Sequence, residues 1–556
     1  MSVVIVAIYL LLDYKRGEQF DDPEFWETAT ADDVKSIMDD WREEGSKDGE
    51  FTPLHYAVLH SARPEIVRAL LDNGADVNAR YDNRYSGLNG WTPLHLTAYV
   101  QGNHRWIHEV IEPLLGQGAD IEARNAEGAT PLHLAALYGN APATVTLLKR
   151  GADIDARAGG EDFESNDYYL GTPLHLAARN SEFLYEDCCP ETLPDWYPFV
   201  VEHKPAVVET LLANGANADL EDKHEFSPLH WAVQVDIDKD SPHAVVRRNV
   251  ALEIAELLLK GGAEVNAHPD EGHWTPLHAA LRSDAGVEIV TLLLNHGADI
   301  EIGNESALYS ASYSYASSDD GFEVIKLLLD RGAAQYVNTC VATGGSRVYS
   351  PFMVSLDNAT LEVVELFLEH GADVNSSCEQ ELPLDRREGG RTETFQGLPI
   401  HEAARNPAPR ITRLLLDLGA DANSRGPWDH TPLFDAGSRE VAEALLQHGA
   451  NTEARNVEGM TPLLWRARHY NDEDFALIET LLDYGAHVNA HSNGGYNALH
   501  YLAGWEPSPE IVRLFLDRGV SPHERGNNGR TPCHIVRDDA EDDDDYPDEL
   551  LNLFCQ

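Results

Sequence analysis

The sequence predicts an all-α protein in which pairs of short helices stack in a row as a solenoid. The prediction depends on a recurring tetrapeptide, a second recurring phrase and a nearly constant spacing between them. The tetrapeptide Thr-Pro-Leu-His begins at Thr52, Thr92, Thr130, Thr172 and Thr275. A single copy of the repeat is too small to bury its own apolar face, so the copies must stack on one another.

The spacing of the two phrases gives the repeat its period. Weaker copies of the tetrapeptide begin at Ser227, Leu398, Thr431, Thr461, Asn497 and Thr531. A Gly-Ala phrase usually follows each copy, as at Gly74, Gly262 and Gly371. The commonest distance from this glycine to the next opening residue is 12, and the distance from opening residue to glycine is usually 21 or 22. The sum lies near the ~33-residue period of helical repeats, and about 13 units fill the chain.

Each part of the unit has a physical role. Thr52 favours a helix N-cap because its hydroxyl can accept a hydrogen bond from a free amide of the first turn. Pro53 suits the first helical position, since that residue needs no N–H donor. A second helix is predicted over residues 64–71, and Gly74 ends it in a left-handed turn that glycine adopts at little cost. A polar segment then leads to the next unit.

This unit, with Thr-Pro-Leu-His opening its first helix, resembles the ankyrin-repeat family from about residue 21 to the end of the chain. The resemblance implies an ankyrin-type helix-turn-helix solenoid with β-hairpin fingers along one edge. It also implies that the histidines of the tetrapeptide help to fix the helix start rather than bind a metal. These histidines include His55, His95, His133 and His175.

The spacing divides the chain into segments. Residues 1–20 form an apolar N-terminal segment, 21–50 a degenerate N-terminal capping repeat, 51–530 the solenoid, and 531–556 a C-terminal capping repeat with an acidic loop. Insertions that lengthen the regular unit lie at 80–90, 158–170, 181–203, 236–249, 338–349 and 376–396. Insertions in a solenoid usually form loops, often at the binding face. The two at 181–203 and 236–249 fall in consecutive units, which predicts a single lobe.

The net charge of −53 excludes some classes of partner. Such a surface repels the phosphates of nucleic acids, and it also repels anionic membranes. Two interpretations of the charge remain open. It either keeps a long protein with much surface soluble, or it attracts a basic partner protein.

The cysteines and the N-terminus bear on the compartment. Six cysteines show neither metal-ligand spacing nor a disulfide framework, which favours a reducing interior and a cytoplasmic location; they are Cys188, Cys189, Cys340, Cys378, Cys533 and Cys555. The apolar residues 3–12 are too few to span a bilayer. No basic stretch precedes them, and no cleavage site follows, so a signal peptide is not expected. They either contact a membrane or pack on the N-terminal cap.

Aromatic residues in and beside the insertions are the candidate protein-binding residues. Trp, Tyr and Arg are the residue types that dominate protein-binding hot spots. The alternative is that these rings pack on the neighbouring repeat and only stabilise a longer loop. The candidates are Tyr81, Arg84, Tyr85, Trp91, Phe163, Tyr168, Tyr169, Trp196, Tyr197 and Trp274.

The sequence offers no candidate for catalysis, a cofactor or a metal. It has no phosphate-binding loop and no nucleophile elbow. His401 begins a zinc-protease-like pattern, but Arg405 stands where the second histidine is required. Asp236 begins a calcium-loop pattern that lacks the glycine and the final glutamate.

The predicted function is therefore a non-catalytic, monomeric scaffold that binds a partner protein through its concave and hairpin face. The alternative is an adaptor or effector. In that case the repeats select a target, and the lobe at 181–250 or the N-terminal segment recruits a second activity.

Overall fold

A computed structural model gives the fold of the chain. It describes residues 23–43, 49–60, 63–82, 88–99, 107–158, 171–179, 197–235, 244–267, 274–283, 285–302, 306–315, 320–342, 348–383, 392–471, 474–504, 507–542 and 547–555. The chain divides into two compact units, Met1–Asn304 and Glu305–Gln556. The predicted solenoid of residues 51–530 is thus shared between them, and the apolar segment of residues 1–20 lies outside the described ranges.

The described part of the first unit consists of helices joined by turns. The helices are α1 (Pro23–Thr28), α2 (Ala31–Glu43), α3 (Pro53–Leu59), α4 (Pro64–Asp72), α5 (Pro93–Tyr99), α6 (Ile107–Gly116), α7 (Pro131–Leu137), α8 (Ala141–Lys149), α9 (Pro173–Ala178), α10 (Tyr197–Ala213), α11 (Pro228–Val233), α12 (Ala244–Lys260), α13 (Pro276–Arg282) and α14 (Val287–Asn295). First helices contact first helices of the next pair, as α3 with α5 and α5 with α7, and second helices do the same, as α4 with α6.

The second unit repeats this arrangement and adds short strands. Its helices are α15 (Ala307–Tyr315), α16 (Gly321–Asp330), α17 (Pro351–Ser355), α18 (Leu361–Glu369), α19 (Pro399–Arg405), α20 (Pro409–Asp417), α21 (Pro432–Asp435), α22 (Arg439–Gln447), α23 (Pro462–Arg468), α24 (Phe475–Asp483), α25 (Ala498–Leu502), α26 (Pro509–Asp517), α27 (Pro532–Asp542) and α28 (Asp548–Cys555). The strands are β1 (Val341–Ala342), β2 (Val348–Tyr349), β3 (Cys378–Pro383) and β4 (Thr392–Gly397). The mostly helical, stacked-pair architecture confirms the predicted fold class, while the count of about 13 units stays a prediction.

Local chemistry explains where the first helices begin. Thr52 has extended backbone angles (φ −81°, ψ 163°), and its hydroxyl accepts a hydrogen bond from the amide of His55. Where a proline follows the opening residue, it takes the first helical position, as at Pro53 and Pro131. The leucine after that proline is 0% exposed at Leu54 and 1% exposed at Leu94. Burying such a side chain contributes about 1.5–3 kcal/mol, so each unit is held chiefly by apolar packing on its neighbours.

Two of the insertions are helical in their C-terminal parts. The second helices of ordinary units have 9 residues, as in α4 and α8, whereas α10 and α12 have 17 each. The helix α10 begins at Tyr197, eight residues before Pro205, at whose position ordinary second helices begin. The predicted loops of 181–203 and 236–249 are therefore wrong in their C-terminal parts, and α10 and α12 contact each other.

Two further insertions, which lie in the second unit, each contain a pair of antiparallel strands. Strand β1 pairs with β2, so that Val341 faces Tyr349. Strand β3 pairs with β4, with Cys378 opposite Gly397 and Pro383 opposite Thr392. In the first unit, the insertion after residue 80 is closed by a bridge between Tyr81 and Trp91, and the next one by a bridge between Ala158 and Gly171.

The cysteines correct an expectation from the sequence. Within the described ranges, the cysteines form the disulfides Cys340–Cys378 and Cys533–Cys555. The prediction of no disulfide framework is wrong, because Cys340 and Cys378, 38 positions apart, become neighbours only when adjacent fingers stack, and Cys533 and Cys555, 22 positions apart, only when α27 packs on α28. The expected cytoplasmic location therefore loses that support.

The C-terminal repeat is more helical than the sequence suggests. Helix α27 continues through Asp542, so the first half of the acidic run is helical, and the predicted acidic loop is shorter. Helix α28 follows as the second helix and buries Leu550 and Phe554. Within the described ranges, no helix combines the length and the hydropathy that a bilayer crossing needs.

Candidate functional site

Two of the predicted binding residues belong to the core. Tyr81 is 6% exposed and Trp91 is 1% exposed, although both were expected to lie at the surface. The ring of Tyr81 packs edge-on against Phe51, with ring centroids 5.2 Å apart, and Trp91 packs in the same way on Tyr99 at 6.0 Å. The expectation of exposure is wrong for these two rings, because the backbone bridge between them turns both side chains inward. Their burial favours the packing alternative.

Among the predicted residues whose side chains the structure describes, Trp274 is accessible to solvent. Its side chain is 37% exposed, and the guanidinium of Arg282 lies 4.3 Å above the indole ring. Its backbone carbonyl accepts a hydrogen bond from Nε2 of His230 at 2.8 Å. The indole is thus held at the surface by groups on the preceding and the following first helix.

The other predicted residues cannot be placed as side chains. Tyr197 is the first residue of α10, and its side chain is not described. The remaining candidates lie outside the described ranges; they are Arg84, Tyr85, Phe163, Tyr168, Tyr169 and Trp196.

The tetrapeptide histidine joins consecutive units, which is a role beyond fixing the helix start. In the unit that opens at Thr130, the Thr130 amide donates to Nδ1 of His133 at 3.2 Å. Because Nδ1 accepts, the proton lies on Nε2, which donates to the carbonyl of Gly171 at 3.3 Å. Gly171 directly precedes the next opening residue. We call this pair of bonds the histidine contact.

The histidine contact recurs, and burial keeps its imidazole neutral. His55 and His95 donate in the same way to the carbonyls of Trp91 and Ala129. Burial lowers the pKa of His133 to about 3, although the Gly171 carbonyl opposes the shift. Burial also lowers the pKa of His55 and His95 to about 4. The predicted role at the helix start is confirmed, and these buried rings are committed to structure.

His401 shows what happens when the opening residue changes. Its unit opens with Leu398, which has no hydroxyl, and Nδ1 of His401 instead lies 3.0 Å from Oδ2 of Asp435 in the next unit. Arg405 pairs with Glu402 and with the same Asp435. Burial acts to raise the pKa of Asp435, but the His401 hydrogen bond and the Arg405 charge hold it below its ordinary value. The cluster replaces one inter-unit contact by another.

The fingers between units are joined by a second contact, made by arginine. Nη1 of Arg124 donates to the carbonyl of Gly128 in its own finger and to that of Arg157 in the next finger, at 2.9 and 2.6 Å. Arg455 does the same with Gly459 and His491, at 2.7 Å each. Each such arginine stands six residues after the helix-ending glycine. We call this the arginine contact.

A ladder of backbone hydrogen bonds runs along the finger tips. The amide of Val457 donates to the carbonyl of Trp428 at 3.0 Å, and the amide of Asn493 donates to that of Glu458 at 2.9 Å. The amide of Asn527 continues the ladder to Gly494 at 2.9 Å. Neighbouring tips are therefore held in a fixed register, so side chains on adjacent tips form a continuous surface.

Two exposed apolar side chains lie side by side on this ladder. Trp428 is 55% exposed and Val457 is 53% exposed; together we call them the fingertip patch. The rings of His430 and Trp465 extend from it toward helix α23, because the His430 centroid lies 5.8 Å from that of Trp428 and 4.5 Å from that of Trp465. The indole of Trp428 is thus a large apolar group supported from one side and open to solvent on the other.

The backbone at the fingertip patch is unusual. Trp428 has φ 54° and Asp429 has φ 61°, both in the left-handed region that favours glycine. The corresponding tip position is a glycine at Gly128, Gly459 and Gly495, with φ between 69° and 77°. Asp429 therefore stands where Gly128, Gly459 and Gly495 stand in their fingers, and Glu225 in the first unit shares this feature with φ 64°. This substitution was the signal in the sequence that could have drawn attention to Trp428.

The described residues show no arrangement for metal chemistry. No group of three or more His, Cys, Asp or Glu side chains in these ranges is placed to hold a metal ion.

The lobe predicted from the insertions contains an unusual buried cation. Lys204 on α10 donates from Nζ to the carbonyls of Leu176 and Arg179 at 3.1 and 2.5 Å, at the end of α9. Burial, with repulsion from Arg179 and Arg247, lowers the pKa of Lys204 to about 7. The lysine thereby joins a long second helix to the first helix of its own unit.

The chain resembles known proteins over most of its described length. The family model "Ankyrin repeats (3 copies)" matches residues 79–158, 107–190, 199–304, 242–339 and 400–492, and the model "Ankyrin repeat" matches residues 50–82. The matches fall in both compact units.

Individual relatives share parts of this sequence. Protein PhlB of Serratia liquefaciens is 37% identical over 157 residues, which are 28% of this chain and 59% of PhlB. The B-cell lymphoma 3 protein homolog of Mus musculus is 30% identical over 193 residues, covering 32% of this chain and 39% of that protein. The chain therefore spans less than two thirds of the length of these relatives.

A solved structure is also similar. The human ASB11 ankyrin repeat domain is 23% identical, with a TM-score of 0.36, and the match covers 50% of this chain and 99% of that one. The family models alone cover more than half of the chain, and the chain therefore belongs to the ankyrin-repeat family.

Proposed function

We propose that this chain is a non-catalytic scaffold that binds a partner protein through the fingertip patch of its second unit. Ankyrin repeats are generally protein-interaction modules, which supports the class of function. The observation that carries the proposal is the exposure of Trp428 (55%) beside Val457 (53%) on adjacent, hydrogen-bonded finger tips. Exposed tryptophan on a rigid support is the residue type that dominates binding hot spots.

Backbone strain supports the same location. Left-handed backbone costs an ordinary residue about 1–2 kcal/mol, and Trp428 and Asp429 both adopt it. Strain of this kind is retained where a function requires it. A glycine at either position would relax the turn, but a glycine in place of Trp428 would also remove the indole ring. The strained turn therefore presents a side chain that the fold itself does not need.

We propose that the scaffold is a monomer. Its net charge of −53 supports a basic partner. The carboxylates beside the fingertip patch are already paired, since Glu458 contacts Arg468 and Asp429 contacts Arg425. A basic partner would therefore be attracted by the electrostatic field of the whole protein, which raises the association rate. The fingertip patch would supply most of the contact energy.

Comparative affinity capture tests this function. The full-length protein, a Trp428→Ser/Val457→Ser variant and a Leu418→Ser/Tyr484→Ser control are immobilised and exposed to an extract of the producing cells. The control removes two large side chains that are 51% and 45% exposed and lie outside both the fingertip patch and the lobe. We expect at least one protein to be retained about tenfold less by the patch variant and equally by the control. The proposal is wrong if every retained protein binds all three equally.

The adaptor function is the second candidate, and the two long helices favour it. Helices α10 and α12 each have 17 residues and contact each other, so they add surface that ordinary units lack. In this alternative, the lobe recruits a second activity after the repeats have selected a target. Deleting residues 181–196 would then spare target capture but abolish the downstream activity. If the deletion affects neither target capture nor a downstream activity, the adaptor function is wrong and only the scaffold function remains.

A further inference from the structure

Neighbouring fingers in the middle of the second unit lack both of the contacts that join fingers elsewhere. Nδ2 of Asn338 donates to the carbonyl of Gly371 at 2.9 Å, as Asn78 does to Gly118 at 3.0 Å. Arg80 lies two residues after Asn78, and Cys340 likewise lies two residues after Asn338, so Cys340 takes the arginine position although it stands eight residues after Gly332. The arginine contact is therefore impossible here.

The histidine contact is missing at the same place. The unit opens at Ser350, whose hydroxyl accepts from the amide of Met353. Met353 stands at the position of the tetrapeptide histidine, and its thioether cannot donate to a carbonyl of the next unit. Its side chain instead packs in a small core with Val348 and Cys378.

A disulfide occupies the place of the arginine contact, beside the core that Met353 joins. Cys340 is bonded to Cys378, and the Sγ of Cys340 lies 3.6 Å from the carbonyl oxygen of Ser377. Ser377 is at the arginine position of the next finger, so this carbonyl is the one that an arginine would reach. The cross-link thus joins two adjacent fingers at the point where the repeat sequence has lost its usual means of doing so.

The second disulfide lies in the last described helix pair. Cys533 is two residues after Thr531, at the position of the buried leucine of other first helices, such as Leu54. It is bonded to Cys555 at the end of α28. A cysteine side chain buries less apolar surface than leucine, and the covalent bond between α27 and α28 offsets that loss.

We propose that both disulfides are permanent structural cross-links and that the protein therefore matures and works in an oxidising compartment. Disulfides persist in such compartments and are rare where glutathione and thioredoxin keep thiols reduced. Both pairs replace a packing or hydrogen-bonding element of the repeat, which is the pattern of a structural role. This inference concerns where the chain works and is independent of the proposed partner.

The oxidation is an exchange with a disulfide oxidant. A thiolate of the pair attacks the oxidant's disulfide and forms a mixed disulfide, which the second thiolate of the chain then cleaves. The two cysteine thiols lose two protons and two electrons as the Sγ–Sγ bond forms. The oxidant's disulfide accepts them and becomes two thiols.

Peptide mapping tests the redox state directly. Cells that naturally produce the protein are lysed in N-ethylmaleimide, and the purified full chain is digested without reduction and analysed by mass spectrometry. We expect peptides linked through Cys340–Cys378 and Cys533–Cys555, with no maleimide on these four residues. Maleimide on all four would overturn the proposal.

Thermal unfolding tests the structural role. Dithiothreitol should lower the melting temperature of the full chain by about 5–10 °C, because each disulfide closes a loop of tens of residues and opening that loop destabilises the fold. Cys340→Ser should lower it without the reductant, and a Cys188→Ser/Cys189→Ser control should keep the full response. If Cys340→Ser does not fold, Cys340→Arg restores the guanidinium contact to the Ser377 carbonyl and should recover part of the loss. A melting temperature that reduction leaves unchanged contradicts the structural role.

Discussion

Single buried histidines set how this protein responds to acid. The pKa of His133 is lowered to about 3 by burial, while that of an unfolded histidine is about 6.5. Below pH 6.5 the unfolded chain therefore binds a proton that the folded chain excludes. Stability is full above pH 6.5 and falls as the pH drops toward 3, by about 1.4 kcal/mol per pH unit for each such histidine. Urea unfolding at pH 7.5 and 5.5 measures this loss.

A pair of variants isolates the histidine effect from the overall charge. His133→Asn should lower the unfolding free energy by about 1–2 kcal/mol at pH 7.5, because the carbonyl of Gly171 loses its donor. The variant should also take up one proton fewer when it unfolds in acid, so its unfolding free energy should fall less between pH 7.5 and pH 5.5. His448 is the matched control, because hydrogen bonds to Ala444 and Asp417 raise its pKa. His448→Asn must not weaken the acid response if the explanation is right.

Buried and exposed tryptophans should behave in opposite ways. Trp91→Ala should cost about 3–5 kcal/mol, since the ring is 1% exposed and leaves a cavity. Trp428→Gly should leave stability unchanged or slightly higher, because glycine relieves the left-handed backbone at φ 54°. Only the second change should weaken partner binding. Equal losses of melting temperature in the two variants would refute the distinction between core and fingertip patch.

At the scale of an element, each finger is held by contacts with its neighbours. Arg455→Ala removes two hydrogen bonds to the carbonyls of Gly459 and His491. We expect about tenfold faster exchange of the Asn493 amide, which lies on the adjoining ladder, from a local loss of about 1.4 kcal/mol. Site-resolved hydrogen exchange measures it. Arg439→Ala is the control, because Arg439 pairs with Glu443 on an exposed helix surface and should leave Asn493 unaffected.

The elements that could be predicted from sequence are those set by local chemistry. Thr-Pro pairs predict helix starts because the cap and the proline act within one turn. The start of α10 at Tyr197 could not be predicted, since the repeat pattern places the second helix at Pro205 and offers no signal before it. The disulfide Cys340–Cys378 depends on residues 38 positions apart, so only the stacked fold brings them together.

The candidate site was predictable in class but not in position. Aromatic residues beside insertions suggest hot spots, but composition does not reveal which way a ring faces. Tyr81 and Trp91 face inward because a backbone bridge joins them. Trp428 has no signal in the repeat spacing, because its finger has the regular length of 12 residues from Gly419 to Thr431. Its signal was conformational, namely an aspartate at Asp429 where a left-handed glycine is usual.

At the scale of the whole molecule, charge governs encounters. With 94 acidic and 41 basic side chains, the protein attracts cations over a distance set by the ionic strength. The Debye length is about 10 Å at 0.1 M salt and about 3 Å at 1 M. The association rate of a captured partner should therefore fall steeply between these salt concentrations, as stopped-flow fluorescence can show. A rate independent of salt would contradict a basic partner.

The most direct test of the account is a hydrogen-exchange footprint of a captured partner on the full-length protein. Amide exchange is compared between the free protein and the complex. The account predicts protection concentrated at the finger tips around Trp428 and Val457, where the exposed apolar side chains lie on the backbone ladder. Protection confined to other surfaces, with the exchange of these two tips unchanged, would contradict the central claim that the fingertip patch is the binding surface.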